Sequence, residues 1–347
     1  MIKLLQVCDL CLDAPFSYLN WEKRQQRNAE REAAFSRMTE LALEERVRAV
    51  LLLGKIFANQ FVSEKTINLV NTKLDLLKEN GIDVIIVPEK GKSLNPLYNN
   101  LKGKKGVYFF SGFNWQKIFF PDDELYFYCC QEKDSFRSRT LGKLRIKEKT
   151  GWHIGLYLGH FSSSELEKTN LDYLALGQYA HYLQKNEGIK AGYPGSLEGY
   201  EFQKQEQGYV FLLQLQDKEV KVIPKKIGVK ETIEVTYSNL KSESELYDKV
   251  KLLADRNLLL RVVLTGKAQS LWDIDKLTLD LANEFFFLEI EDLREQQYSL
   301  QNESLVQIFK ALWQEKLQAA DSVLEQKRLN QALALGMRSL QRGEVKC

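Results

Sequence analysis

The 347-residue chain contains only three histidines, His153, His160 and His181, so imidazole chemistry has few places to occur. Cysteine is also sparse, at five residues. Cys8 and Cys11 form a CxxC, but no second CxxC completes a zinc site, and Cys129 and Cys130 sit together in "LYFYCCQ". A structural role fits these thiols better than redox or metal chemistry. No apolar run approaches the length of a membrane span, and no charged-then-apolar leader precedes the first strand, "MIKLLQVCDL". A cytoplasmic protein without membrane contact is expected. The sequence has no internal repeat and no low-complexity segment.

Net charge is nearly absent as well, at a formal +2, but the basic residues are unevenly spread. "RSRTLGKLRIKEK", Arg137 to Lys149, holds six basic residues and one acidic one, and "KVIPKKIGVK" runs from Lys221 to Lys230. Each stretch is either a solvated face or a polyanion-binding surface, and composition leaves both readings open. On the second reading Arg137, Arg139, Lys143, Arg145 and Lys147 contact nucleic acid, with Lys102, Lys104 and Lys105 as a further patch.

What is present is an ordinary globular composition, 44% hydrophobic and 28% charged, in a chain long enough for a large domain with accessories. "KLLQVCDL", "AVLLLGKIF" and "DVIIVPE" read as buried strands, separated by amphipathic helices over residues 22–48 and over "VSEKTINLVNTKLDLLKENG". That is a βαβαβ rhythm. From residue 107 the strands are closely spaced ("VYFFSG", "LYFYCCQ", "HIGLYLGH", "YLALGQYAH", "GYVFLLQLQ", "EVKVIP"), which predicts a second, largely antiparallel sheet. "TIEVTYS", a helix over Glu243–Asp255, "LLLRVVLTG", a helix over Ile274–Ala282 and "EFFFLEIEDL" predict a compact βαβαβ unit. Residues 303–342 then read as helices, with Leu305, Ile308, Leu312 and Leu317 on one face and Leu329, Leu333, Met337 and Leu340 on another. The boundaries are 1–224, 225–295 and 296–347.

These segments, in this order, resemble the calcineurin-like metallophosphoesterases, specifically the DNA double-strand-break repair exonuclease branch (the SbcD family). "VCDLCLDAPF" resembles that family's opening Asp-x-His strand followed by Leu-Asp-x-Pro-Phe. "AVLLLGKIF" is similar to Gly-Asp-Leu-Phe, and "VIIVPEKGK" stands in the place of Pro-Gly-Asn-His-Asp. "IGLYLGH", "DYLALGQYAHYLQ" and "YPGSLEGYEF" complete the series over roughly residues 1–224. The resemblance implies an α/β fold: a metallophosphoesterase-like two-sheet sandwich flanked by helices, with a small α+β cap domain and C-terminal helices.

Enzymes of that family hold two manganese ions that activate water and clamp a phosphate. Carried over residue by residue, the ligand set is degenerate. Asp9 is kept, but Cys11 stands at the first His and Lys55 at the bridging Asp. Lys90 replaces the Asn, Gly91 the catalytic His and Lys92 the Asp after it. Leu158 takes the strand-end His position, and Gln178 and Ala180 take the last two. His181 is displaced by one residue, which on a strand is the other face. A lysine ammonium about 4 Å from a divalent ion costs about 8 kcal/mol at an effective dielectric near 20. No metal and no intact catalytic residue are therefore expected.

Lys55, Lys90 and Lys92 should gather at strand ends, either as a phosphate site or in salt bridges with Asp9 and Glu89. The resemblance implies DNA and an SMC-like ATPase as partners, the latter through the C-terminal helices, and leaves a homodimer open. The leading expectation is an inactive nuclease-subunit relative. The alternatives are a hydrolase rebuilt around His153, His160 or His181 with Asp9, and an interaction scaffold without nucleic-acid contact.

Overall fold

The computed structural model describes residues 1–59, 61–89, 98–99, 101–132, 140–177, 183–185, 189–199, 208–268 and 272–296, with short pieces between 313 and 333. The first sheet is built from β1 (Ile2–Cys8), β2 (Ala49–Gly54), β3 (Asp83–Pro88) and β4 (Val107–Phe109), with α1 (Trp21–Glu44) and α2 (Glu64–Glu79) in the connections. The second contains β5 (Gln116–Phe120), β6 (Leu125–Gln131), β7 (Trp152–Leu158), β8 (Tyr173–Gly177), β9 (Leu183–Lys185) and β10 (Lys190–Tyr193), with the short helix α3 (Ser163–Leu166) after β7. β11 (Tyr209–Gln216) and β12 (Glu219–Lys226) return to the first sheet, whose order is β12-β11-β1-β2-β3-β4. The order of the second is β5-β6-β7-β8-β10-β9. The protein is an α/β sandwich of two large sheets flanked by helices.

Period-two alternation builds the layers. Leu4, Cys8, Leu51, Leu53, Ile85 and Val87 point from the first sheet into the core shared with Phe127, Ile154, Leu156 and Leu174 of the second. The intervening Leu5, Val7, Val50, Leu52, Val84 and Ile86 face Phe35, Met38, Val70, Leu74 and Leu77 of α1 and α2. Both helices start on side-chain caps: Asn20 accepts from Lys23 N, and Ser63 from Thr66 N.

Two expectations need correction. The closely spaced strands do not form one antiparallel sheet: β4, β11 and β12 belong to the first sheet, and β6, β7, β8 and β10 run parallel to one another. Only the edge strands β5 and β9 pair antiparallel there. Parallel strands need crossovers. Here Leu141, Leu144, Leu166 and Leu171 from the β6–β7 and β7–β8 connections pack onto the sheet from short helical turns and loops, which carry no long helical period in the sequence. Helix α1 also stops at Glu44 rather than residue 48, where Val47 N donates to Ala42 O.

The remaining elements are β13 (Glu231–Ser238), α4 (Glu243–Lys251), β14 (Leu258–Thr265), β15 (Lys267–Ala268), α5 (Ile274–Leu281), β16 (Phe287–Asp292) and β17 (Glu295–Gln296). β13, β14 and β16 form a three-stranded sheet in that order. The chain divides into two compact units. One comprises Met1–Val235, Ala254–Arg261 and Ala282–Glu289, and the other Thr236–Leu253, Val262–Leu281 and Ile290–Cys347. In the second, α4 buries Leu246 and Val250, and α5 buries Ile274, Leu277 and Leu281. There the Arg294 guanidinium lies 3.6 Å from the Trp272 ring centroid and bonds both Asp292 oxygens. Of the C-terminal residues singled out in the sequence, Leu305, Ile308, Leu312, Met337 and Leu340 lie outside the described residues; Leu317, Leu329 and Leu333 are helical.

Candidate functional site

The segment after β1 is unusual in its backbone. Asp9, Cys11, Asp13 and Phe16 all adopt positive φ, 43°, 47°, 55° and 40°, a region that costs a non-glycine residue of order 1 kcal/mol or more. The loop is held there from several sides. Asp9 N, Cys11 N and Leu12 N donate to Leu53 O, Lys55 O and Ile56 O, so it runs beside the end of β2. Asp13 accepts from Ser63 N and Thr66 Oγ1 at the start of α2.

On the other side lies a buried ionic cluster. Arg27 Nη1 meets Glu30 Oε2 at 2.6 Å and Glu198 Oε2 at 2.8 Å, and Lys230 Nζ meets Glu30 Oε1 at 2.8 Å. Arg31 donates to the carbonyls of Leu10, Cys11 and Glu198. Both guanidiniums lie over the Phe16 ring, at 5.5 and 5.1 Å.

Asp9 is buried at the center of this frame. Its Oδ1 accepts from Lys55 N at 2.9 Å and its Oδ2 from the Tyr193 hydroxyl at 2.7 Å. Gly54, at φ 89°, makes room: a Cβ there would overlap Asp9 Oδ1. The Lys55 ammonium reaches the end of β3, where Nζ lies 3.8 Å from Glu89 Oε1. Of the two ionic partners expected for the lysines, Glu89 is thus beside Lys55, whereas Asp9 is satisfied through a backbone N–H and a phenol. Tyr98 closes the floor. Its hydroxyl accepts from Ile56 N at 3.4 Å, and burial pushes its pKa up to about 12.

Cys11 is fully buried, and Leu158 at the end of β7 is buried beside Gly177, where an added Cβ would come within 2.8 Å of Leu53. Lys90, Gly91, Lys92, Gln178, Ala180 and His181 lie outside the described residues. Where a metal pair takes a shell of carboxylates and imidazoles, the described positions offer one carboxylate already holding two donors, an ammonium, a thiol and an aliphatic side chain. These residues do not fit such a pair.

Tyr193 was not singled out in the sequence, although it begins "YPGSLEGYEF"; a lone tyrosine at a strand end carries no distinguishing pattern. Gln6 and Tyr173 were missed as well. Gln6 Nε2 donates to Leu176 O and Gly192 O and Oε1 accepts from the Tyr173 hydroxyl, a polar seam between the sheets. Cys8 donates to Leu176 O, and burial pushes its thiol pKa well up, so it is an inert core thiol. His160 sits at the end of β7 with Glu132: its backbone N donates to Glu132 Oε2 at 2.8 Å, and the ring Nδ1 lies 3.6 Å from the same oxygen.

The basic stretches separate clearly. Lys225 pairs with Glu45, Lys226 with Glu231, and Lys230 is buried on Glu30, so most of the second stretch is occupied within the fold. Lys104 pairs with Asp75 and Lys102 lies over the Phe109 ring. Lys143, Arg145 and Lys147 are exposed; Arg137 and Arg139 lie outside the described residues.

Among the described residues no helix is long and apolar enough to cross a membrane. No protein-family model matches the chain, and no curated protein matches it in sequence. Among solved structures it is similar to the crystal structure of TT1561 of Thermus thermophilus, at 11% identity over 65% of this chain and 99% of that one, with a TM-score of 0.38.

Proposed function

We propose that this chain is a catalytically inactive relative of the DNA double-strand-break repair exonuclease subunits, which keeps the scaffold and nucleic-acid contact without two-metal phosphodiester hydrolysis. The family reading rests on the six ordered sequence segments. The observation that supports inactivity is the state of Asp9: both its oxygens already accept hydrogen bonds, from Lys55 N and Tyr193 Oη, and the residue at the bridging position presents an ammonium beside Glu89. A divalent ion there would have to displace a satisfied donor and sit near a cation. Docking of the C-terminal segment onto an SMC-like ATPase belongs to the same reading.

The test is elemental analysis after dialysis, together with hydrolysis of a phosphodiester in the presence of manganese. We expect no stoichiometric manganese, iron or zinc and no turnover. About two transition metals retained per chain would overturn the proposal.

One observation favors a second reading, a rebuilt hydrolase. His160 and Glu132 stand together at the ends of β7 and β6, an acid–base pairing by chemistry. Manganese-independent hydrolysis abolished by His160→Gln would select it.

A further inference from the structure

Between Lys143 and Lys149 exposure alternates residue by residue. Lys143, Arg145, Lys147 and Lys149 are exposed, while Leu144 and Ile146 pack against the core. Among the described residues none of these four cations forms an ion pair, in contrast to Lys225, Lys226 and Lys230. The single carboxylate of the run, Glu148, is turned inward. It pairs with Lys117 of β5 and accepts from the Tyr128 hydroxyl at 3.1 Å. The result is a row of four cations with no acidic residue facing out between them.

Glu148 also ties this row to a second feature. Phe119, Tyr126 and His153 are directly opposite one another on β5, β6 and β7. Their rings stack in a column, with centroids 4.3 Å and then 5.1 Å apart and planes within 18° at both steps. His153 is buried at the inner end and hydrogen-bonds Tyr128. Because the Tyr128 proton goes to the Glu148 carboxylate, the phenol oxygen accepts from His153 Nδ1–H, which fixes the imidazole. Lys117 lies 5.6 Å over the Tyr126 ring. At the outer end Phe119 is 42% exposed, on a strand that forms the edge of its sheet. The column ends in an open ring, and Lys117, over its middle member, is the residue that Glu148 of the cation row pairs with.

We propose that this surface binds single-stranded nucleic acid, with a base stacked on Phe119 and the phosphates lying along Lys143, Arg145, Lys147 and Lys149. An open aromatic face beside a cation row is the combination that single strands use, since every base offers a π-face once it is out of a duplex. The inference rests on the nucleic-acid part of the function proposed above and narrows it to the single strand and to a stacking residue.

The test is fluorescence anisotropy with an oligothymidylate of about 15 nucleotides, and with a duplex of equal length, over a range of salt. The single strand should bind more tightly. Phe119→Ala and Phe119→Leu should weaken it by about 5- to 100-fold and leave duplex binding unchanged. Leucine keeps the apolar bulk, so a loss shared by both variants at unchanged melting temperature reports the ring and not the fold. Replacing all four cations by glutamine should flatten the log–log salt slope by about 2.8, at roughly 0.7 for each contact. Wild-type affinity in both Phe119 variants, or an unchanged slope, overturns the inference. Duplex binding that persists in those cases leaves the broader function standing. Capture by phosphatidylserine vesicles with no binding to either polynucleotide overturns both.

Discussion

The Asp9 carboxylate and the Tyr193 hydroxyl, 184 residues apart in sequence, are 2.7 Å apart in the fold. Asp9 is buried, so this bond and the one from Lys55 N hold a carboxylate that water does not reach. Tyr193→Phe should cost about 1.5–3 kcal/mol, as expected for losing a hydrogen bond to a charged group. Gly54→Ala should also destabilize, through its positive φ and its overlap with Asp9 Oδ1. In an Asp9→Ala background the overlap is gone, and Gly54→Ala should cost measurably less. Additive denaturation free energies would mean that Gly54 does not accommodate Asp9.

Restoring one acidic residue should not restore hydrolysis. Lys55→Asp removes the cation at the bridging position, yet Cys11 and Leu158 stay as they are. A two-ion clamp needs its whole shell. Manganese titrated against this variant should give no phosphodiesterase activity above the parent protein. A clear gain would show that Lys55 alone blocks the site.

Glu198 anchors the buried cluster, accepting from Arg27, from Val229 N and from Lys230 N. Glu198→Ala leaves the Arg27 guanidinium buried with one carboxylate fewer and should cost about 3–5 kcal/mol. Glu198→Gln keeps acceptor geometry and should cost less. Equal losses in urea denaturation would reduce the role of Glu198 to charge alone.

Acid should weaken the aromatic column in two stages. Burial holds the His153 pKa below its ordinary 6.5, against the opposing pull of Asp172 and Glu148. The folded state therefore prefers the neutral ring, and this contribution is present above about pH 6.5 and lost as pH falls below it. The hydrogen bond from Lys117 holds Glu148 at about 2 against an ordinary 4.5, so its contribution is present above pH 4.5 and lost as pH falls toward 2. Stability of His153→Phe should vary less than wild type between pH 7 and 5, whereas Lys117→Met should act most on the limb below pH 4.5, because Lys117 is the main cause of the Glu148 shift and the last of several acting on His153. Superimposable profiles for His153→Phe and wild type would exclude the first stage.

A chain ending at Asn302 separates partner docking from internal packing. If the C-terminal segment docks an ATPase partner, the shortened protein keeps its melting temperature and no longer captures that partner. Unfolding on truncation, or capture that survives it, removes docking from the proposed function.

The sequence by itself determined the layers of the sandwich. Alternation in "KLLQVC" and "AVLLLG", and helical spacing of Phe35, Met38 and Ala42, say which side chains go to which face, because period 2 and period 3.6 are properties of the local backbone. It also put Lys55, Cys11 and Leu158 where the resemblance implies a carboxylate and two imidazoles, since residue type is read directly from the string. What it could not carry was pairing between distant segments. Strands β6, β7, β8 and β10 look like hairpin strands in the sequence, yet they run parallel, because the decision lies in crossovers packed by Leu141, Leu144, Leu166 and Leu171. The tertiary structure likewise decided which lysines are available. "KVIPKKIGVK" and "GKLRIKEK" are similar as strings, but Glu45, Glu231 and Glu30 are brought to the first and Glu148 is turned inward from the second. Ion pairing over such separations, like the Asp9–Tyr193 bond, depends on where the sheets bring the chain together, and no local pattern encodes it.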